Sequence, residues 1–302
     1  NDLHNNPALW SVFWTEPCDS YDWNLVKFFL QNIVRDRDIA IHVQLGYKSR
    51  SDILAFTLEG YSGRIASLGY GPRKESDKDK SSLVLANNLH RNAAGLQILE
   101  LNEVKVPSSL FEGDFGSLKD LTLHTCIFSW GVASLTTLHE LAIWNPSERV
   151  DWQEILVILV HLPLLREFSL SNALPLDGDV STAMPASLAS VQVPFNPPAL
   201  TSLTLSENEP HSVVYLLQKL RFHSDQLKKL DVNIEYELDV SVYEENEADE
   251  AMNEVREMFE SWWGQPTKTT HPSYVHQYWR YEYGETRVVL RVDYPFTASE
   301  VE

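Results

Sequence analysis

Cysteine is nearly missing from this chain: Cys18 and Cys126 are the only two in 302 residues. Two thiols cannot frame a disulfide fold. No Asn-x-Ser/Thr site with a permitted middle residue occurs either, so the sequence predicts a reducing compartment, cytoplasmic or nuclear. Long apolar runs are missing too. The longest, ILVILVHLPLL at 155–165, is broken by His161 and Pro163 and falls short of the about 18 residues that a membrane span needs. Residues 1–30 lack the basic-then-apolar order of a secretory leader. Bases are scarce beside acids: 24 Lys and Arg face 43 Asp and Glu, for a net charge of −19. A surface of that sign repels phosphate backbones, so neither nucleic acid nor a membrane is an expected partner.

Catalytic and metal-binding patterns are also lacking. The ten histidines include no H-E-x-x-H, and His271 and His276 flank PSYV with no cysteine or acid at ligand spacing. GYSG at 60–63 lacks the spacing of a nucleophile elbow. LGYGPRK at 68–74 is neither a dinucleotide fingerprint nor a phosphate loop. Its Arg73 and Lys74, with the following ESDKDKSS, read as a solvated loop of mixed charge. Cys18 and Cys126 have no partnered base in sequence and read as packing residues. The expectation is a protein that is not an enzyme and uses no cofactor or metal.

What is present is a repeat. LQILEL (96–101), LKDLTL (118–123), LHELAI (138–143), LREFSL (165–170), LTSLTL (200–205) and LKKLDV (227–232) share the pattern L-x-x-L-x-L. IASLGY (65–70) and LASVQV (188–193) are weaker copies. Starts from residue 96 are spaced by 22, 20, 27, 23, 12 and 27 residues. All but the fifth lie in or near the roughly 20–29 residues of a leucine-rich repeat. The short interval makes 188–193 an approach strand, not a full repeat. The fourth and sixth positions fall on one face of a strand, and the first leucine packs beneath it. No single strand can bury that face, so units must stack into a parallel sheet.

Amphipathic stretches lie between the hexamers. VDWQEILVILVHL carries a capping box in Asp151 and Glu154, and PHSVVYLLQKLRF and KSSLVLANNLHRN have similar apolar spacing. The predicted fold is therefore α/β: a leucine-rich-repeat solenoid with a parallel sheet on the concave face, helices outside and a C-terminal β-hairpin cap. DIAIHVQL at 38–45 adds an early strand after a helix in YDWNLVKFFLQNIV. YVHQYWRYEY and TRVVLRVDY, joined through Gly284 and Glu285, form the hairpin. The aromatics at 259–296 read as cap packing, with a ligand platform as the alternative. Residues 235–260 hold eleven acids and one base, Arg256, a local charge of −10. The Glu-rich part, 240–252, reads as a mobile, solvated insert. The divisions are 1–36, an N-terminal helical segment; 37–234, the solenoid; 235–260, the acidic insert; and 261–302, the aromatic-rich cap.

The order NNPALWSVFW, a helix, IAIHVQL, RIASL, the repeated hexamer and LPLLREFSLSNAL resembles fungal F-box proteins with irregular leucine-rich repeats. The likeness spans about residues 1–232, with NPALWS standing where that family closes its F-box region. It implies the substrate-binding part of an SCF-type ubiquitin ligase receptor. A Skp-type adaptor would then dock on F-box helices upstream of Asn1, which are not among these residues. The alternatives are a leucine-rich-repeat scaffold with no ubiquitin role, and a hydrolase with an unrecognised site under the hairpin. In the recognition reading, the third, fifth and seventh positions of each repeat face the concave surface. Glu100, Asp120, Glu140 and Glu167 are expected to form an acidic stripe beside His124 and Trp144, docking a basic partner segment.

Overall fold

The computed structural model describes residues 12–15, 27–28, 30–34, 40–72, 75–107, 110–111, 115–128, 135–150, 152–175, 193–223, 226–235, 246–270, 277–283 and 285–293. The chain is an α/β protein with a mostly parallel sheet. It divides into two compact units, residues 1–139 and 140–302.

In the first unit five strands run side by side in chain order. They are β1 (Val12–Thr15), β2 (Ile41–Ser49), β3 (Ile65–Pro72), β4 (Ile98–Asn102) and β5 (Asp120–His124), each parallel to its neighbour. Helices α1 (Ser51–Tyr61) and α2 (Glu75–Asn92) occupy the crossovers between β2 and β3 and between β3 and β4. A π-helical turn, Leu30–Val34, precedes β2.

The second unit repeats the scheme with β6 (Glu140–Trp144), β7 (Glu167–Ser171), β8 (Ser202–Ser206) and β9 (Lys229–Glu235), again parallel and in register. Helix α3 (Trp152–His161) crosses from β6 to β7, and α4 (Pro210–Gln218) from β8 to β9. Helix α5 (Asn246–Trp263) follows. The C-terminal strands are β10 (Lys268–Thr270), β11 (Gln277–Tyr283) and β12 (Thr286–Asp293), antiparallel among themselves. The hairpin extends the sheet, because β12 pairs in parallel with β9 from Arg287–Lys229 to Asp293–Glu235.

The hexamer explains both cores. Its first, fourth and sixth residues are buried in all six copies, from Leu96, Leu99 and Leu101 through Leu227, Leu230 and Val232. Burial of one Leu or Phe side chain is worth about 1.5–3 kcal/mol, so these positions supply much of the driving force. Before the hexamer a tight turn brings the chain in, as in the Leu118 N–H to Phe115 C=O and Leu138 N–H to Leu135 C=O bonds, 2.9 and 3.0 Å. After it, the eighth residue turns left-handed: Glu103, Thr125, Asn145, Asn172 and Glu207 have φ of 54, 52, 47, 46 and 55°. That twist aims the amide at the next strand. Glu103 N–H donates to His124 C=O, Asn145 to Ser171, Asn172 to Ser206 and Glu207 to Asn233, at 2.8–2.9 Å.

The ninth position ties the turn down where it is polar. Asn208 Nδ2 donates to Leu170 C=O and Ser206 C=O, while its Oδ1 accepts from Ala173 N–H and Leu174 N–H, all at 2.9 Å. Cys126 does the same with less, its Sγ donating to Leu101 C=O at 3.3 Å. Each thus reaches the sixth residue of the preceding strand.

Three sequence expectations need correction. Asn246–Trp263 is a helix where the Glu-rich run was expected to form a mobile insert, and residues 236–245 lie outside the described part. Val255, Met258, Phe259 and Trp262 recur at helical spacing, with Val255 and Phe259 fully buried, so one apolar stripe anchors the acidic segment. Gly264 closes that helix at φ 79°, its N–H reaching Glu260 C=O at 2.8 Å. ESDKDKSS is not a loop but the start of α2, because Ser81 and Ser82 are buried under it; Ser81 Oγ meets Tyr70 Oη at 2.6 Å. Val12–Thr15, inside the segment expected to be helical, is a strand on β2. The expected helix at 21–34 is described only at residues 27–28 and in the π-helical turn. Asp151, Cys18 and residues 188–192 lie outside the described part.

Two outcomes test this framework. Asn208→Ala strands buried donors and an acceptor, each costing about 1–3 kcal/mol, so urea unfolding should show a loss of at least about 2 kcal/mol. An effect below about 0.5 kcal/mol would show that the ninth position is not a tie. Burial pushes the Cys126 thiol from 9.0 up to about 11. The unfolded chain then releases this proton first, so stability falls as pH rises through that window. At pH of about 10.5 the loss relative to neutral pH should be smaller in Cys126→Ala by about 2 kcal/mol. Identical pH dependence in the two proteins would contradict the assignment.

Candidate partner-binding face

The parity that buries the leucines sends the third, fifth and seventh residues to the other face of each sheet. In the first unit this face carries Ile98, Glu100 and Asn102 on β4 beside Asp120, Thr122 and His124 on β5. Ile98 is exposed, Glu100 and Asp120 are half-buried, and Asn102 is buried. Asp120 lies opposite Ile98, whereas Glu100 lies opposite Thr122, so the two carboxylates are diagonal neighbours. Desolvation raises the Asp120 pKa, with His139 and Lys119 pulling it back. His124 is held at the strand end: its Nδ1 lies 2.7 Å from Asn102 Oδ1 and 3.0 Å from Thr125 Oγ1. Asn102 Oδ1 can only accept, so this contact puts the ring proton on Nδ1.

One row in the same unit is shaped by a missing side chain. Gln44, Gly69, Glu100 and Thr122 lie in register across β2 to β5. A Cβ at Gly69 would come within 2.4 Å of the Gln44 amide, so the glycine is what lets Gln44 lie across β3. No sequence periodicity marks that requirement.

In the second unit Glu140 pairs with Glu167 and Trp144 with Ser171 across β6 and β7. Glu140 and Glu167 are exposed, and the Trp144 indole is 42% exposed. The next strand brings hydroxyls, Ser202, Thr204 and Ser206. Behind the strand ends the eighth residues form a polar ladder that the leucine pattern alone did not reveal. Asn172 Nδ2 donates to Asn145 Oδ1 at 3.0 Å, Arg149 Nη2 donates to Asn172 Oδ1 at 2.6 Å, and Ser171 Oγ donates to Glu207 Oε2 at 2.9 Å. The readable signal was an asparagine two residues after the hexamer, at 145 and again at 172.

Among the described residues the C-terminal aromatics pack on one another and on Phe222. Phe259 stacks on Trp263 at 5.3 Å with 10° between planes, Trp262 meets Phe222 at 5.9 Å, and Trp263 meets Tyr283 at 5.3 Å. Trp263 Nε1 donates to Phe222 C=O at 2.9 Å, and Tyr281 and Tyr283 are buried. Tyr274 and His276 lie outside the described residues.

Among the described residues no three His, Cys, Asp or Glu side chains gather at metal-binding geometry, and no helix is long and apolar enough to cross a membrane. A cleft of about 940 Å³ in the first unit is lined by Gln31, Asn32, Phe56, Glu59, Gly60, Tyr61 and Arg64. It holds one acid, one base and no nucleophile paired to a base. Compared with known proteins, the chain matches no family model and none of the curated proteins.

Trp144 stands on the open face, so Trp144→Ala should cost under about 1 kcal/mol in a denaturant melt. Phe168→Ala, on the core face of the adjacent strand at 1% exposure, should cost about 3–5 kcal/mol. Equal costs would show that Trp144 serves the core.

Proposed function

We propose that this chain is a non-enzymatic protein-recognition module. Its architecture is read as a leucine-rich-repeat solenoid, with the parallel sheet on the concave side, helices outside and the β11–β12 hairpin as a cap. The repeated burial of the first, fourth and sixth residues in register supports that reading. So do Cys126 and Asn208, which stand at the ninth position that leucine-rich repeats give to Asn or Cys.

The observation that carries the function is Trp144, a large aromatic exposed on an open sheet face with Glu140 on its own strand and Glu167 on the next. Aromatics of this kind dominate binding energy, and exposed carboxylates steer and select a basic partner. We read Glu140, Trp144 and Glu167 as its contact residues in the second unit and Glu100, Asp120 and His124 as those in the first. The resemblance to F-box proteins supports the role of substrate receptor in an SCF-type ubiquitin ligase, in the cytoplasm or nucleus. A scaffold with no ubiquitin role is the second reading. It is favoured by β1, which begins directly after NNPALWS and joins the sheet.

The test uses a fluorescent nine-residue peptide of lysine, arginine and serine. Reversing two exposed charges turns attraction into repulsion worth about 0.5–1 kcal/mol each, so Glu140→Lys with Glu167→Lys should weaken binding about tenfold. Binding by the unaltered protein should also fall as salt rises. Equal affinity in the folded double variant, or binding indifferent to salt, would overturn the reading.

A further inference from the structure

The cleft in the first unit, about 940 Å³, shares no residue with the open sheet face. It lies between the π-helical turn, which contributes Gln31 and Asn32, and the end of α1, which contributes Phe56, Glu59, Gly60 and Tyr61. Arg64 comes from the turn that follows α1. Ligand pockets commonly measure about 300–1,000 Å³, so the cleft is large enough for a small molecule.

Gly60 is a residue that the fold does not require. Glycine weakens a helix relative to alanine. A left-handed backbone explains it at Gly264 and a close neighbour at Gly69. Gly60 has neither: its φ is not left-handed, and a Cβ there would meet no atom within 4 Å. What the missing side chain provides is space in the cleft. Hydrogen-bonding capacity is spare at the same place. Among the described residues, neither the Gln31 amide nor the Glu59 carboxylate has a hydrogen-bond or ion-pair partner, and both residues are exposed. The Asn32 amide is held, its Nδ2 donating to Phe28 C=O at 2.8 Å.

Charge narrows the ligand. Lys27 Nζ lies 5.1 Å from the centre of the Phe56 ring, and the Arg64 guanidinium 5.3 Å from that of Tyr61. A cationic ligand would be repelled by both and would compete for the same rings. An anionic one would meet Glu59 and the negative C-terminal end of α1. A flat base is disfavoured as well, since it needs an open ring face to stack on. The two rings are 6.4 Å apart and tilted by 53°, which makes no parallel slot, and Tyr61 is buried. A neutral ring bearing hydroxyls fits each constraint. Its hydroxyls can donate to Glu59 and both donate to and accept from Gln31, while its C–H groups pack on Phe56. We propose that this cleft binds a neutral saccharide.

The experiment titrates the immobilised whole chain by surface plasmon resonance with maltotriose, cellotriose and mannotriose. Each is offered free and conjugated through its reducing end to serum albumin. The controls are the cationic trimer of glucosamine, the anionic trimer of galacturonate, and adenosine. At least one neutral trisaccharide should bind at least about fivefold tighter than every control. Gly60→Leu places a side chain in the cleft and should weaken that binding at least about tenfold. It should melt no lower than the unaltered protein, because leucine is the better helix former. Glu59→Gln keeps the side-chain shape and should weaken binding about fivefold, which decides the matter if Gly60→Leu fails to fold. Conjugates that bind as well as free sugars would identify the end of a glycan chain as the ligand. Binding of free sugars alone would identify a soluble saccharide. Binding of no neutral sugar, tighter binding of any control, or unchanged affinity in the folded variants would overturn the proposal.

Discussion

The left-handed residue after five of the six hexamers is the constraint on which the rest of this structure depends. A non-glycine residue in that conformation costs about 1–2 kcal/mol, and the chain adopts it at Glu103, Thr125, Asn145, Asn172 and Glu207. In four of these the return is visible: the rotated amide donates to the seventh-position carbonyl of the neighbouring repeat. That bond fixes where one strand stops relative to the next. A shift of one residue would move every leucine to the open face and every carboxylate into the core. The hydrogen bond at the eighth position and the burial at the first, fourth and sixth therefore specify the same register.

The parts of the fold legible in the sequence were those where the residue pattern and the burial share a period. The six hexamers became β4 to β9, and VDWQEILVILVHL and PHSVVYLLQKLRF became α3 and α4. Helix α5 escaped because charge outweighed spacing in the reading. Among the described residues Glu254 and Glu257 are exposed on it, and Val255 and Phe259 mark the buried stripe. Helix α2 was legible in KSSLVLANNLHRN, but its start at ESDKDKSS was not, because there the buried residues are the small polar Ser81 and Ser82. The hairpin was legible as a hairpin, but its junction with the sheet was not. Pairing of β12 with β9 joins residues 58 positions apart, from Arg287–Lys229 on, and strand periodicity says nothing about a partner so distant.

At the candidate site the parity was legible and the environment was not. Trp144 was expected on the open face from its place at the seventh position, and that is where the indole lies. The same position is buried in Asn102 and Ser171, because their side chains are short enough to be covered by the polar ladder at the strand ends. The C-terminal aromatics show the reverse case: Trp262, Trp263, Tyr281 and Tyr283 are numerous but satisfy one another. Trp144 differs from them in its exposure, 42%.

The two faces of each sheet obey different rules. The core face admits Leu, Ile, Val and Phe and little else, since a cavity or a stranded polar group there costs several kcal/mol. The open face bears no such restriction. Glu140, Ser202, Lys229 and Arg287 occupy equivalent rows on strands that are otherwise alike. Exposed charges contribute little to folding, typically about 0–1 kcal/mol per pair. Their distribution is therefore free of the fold. A regular core beneath an unrestricted face lets one repeated unit present a series of chemically different side chains at fixed spacing, each strand supplying one step.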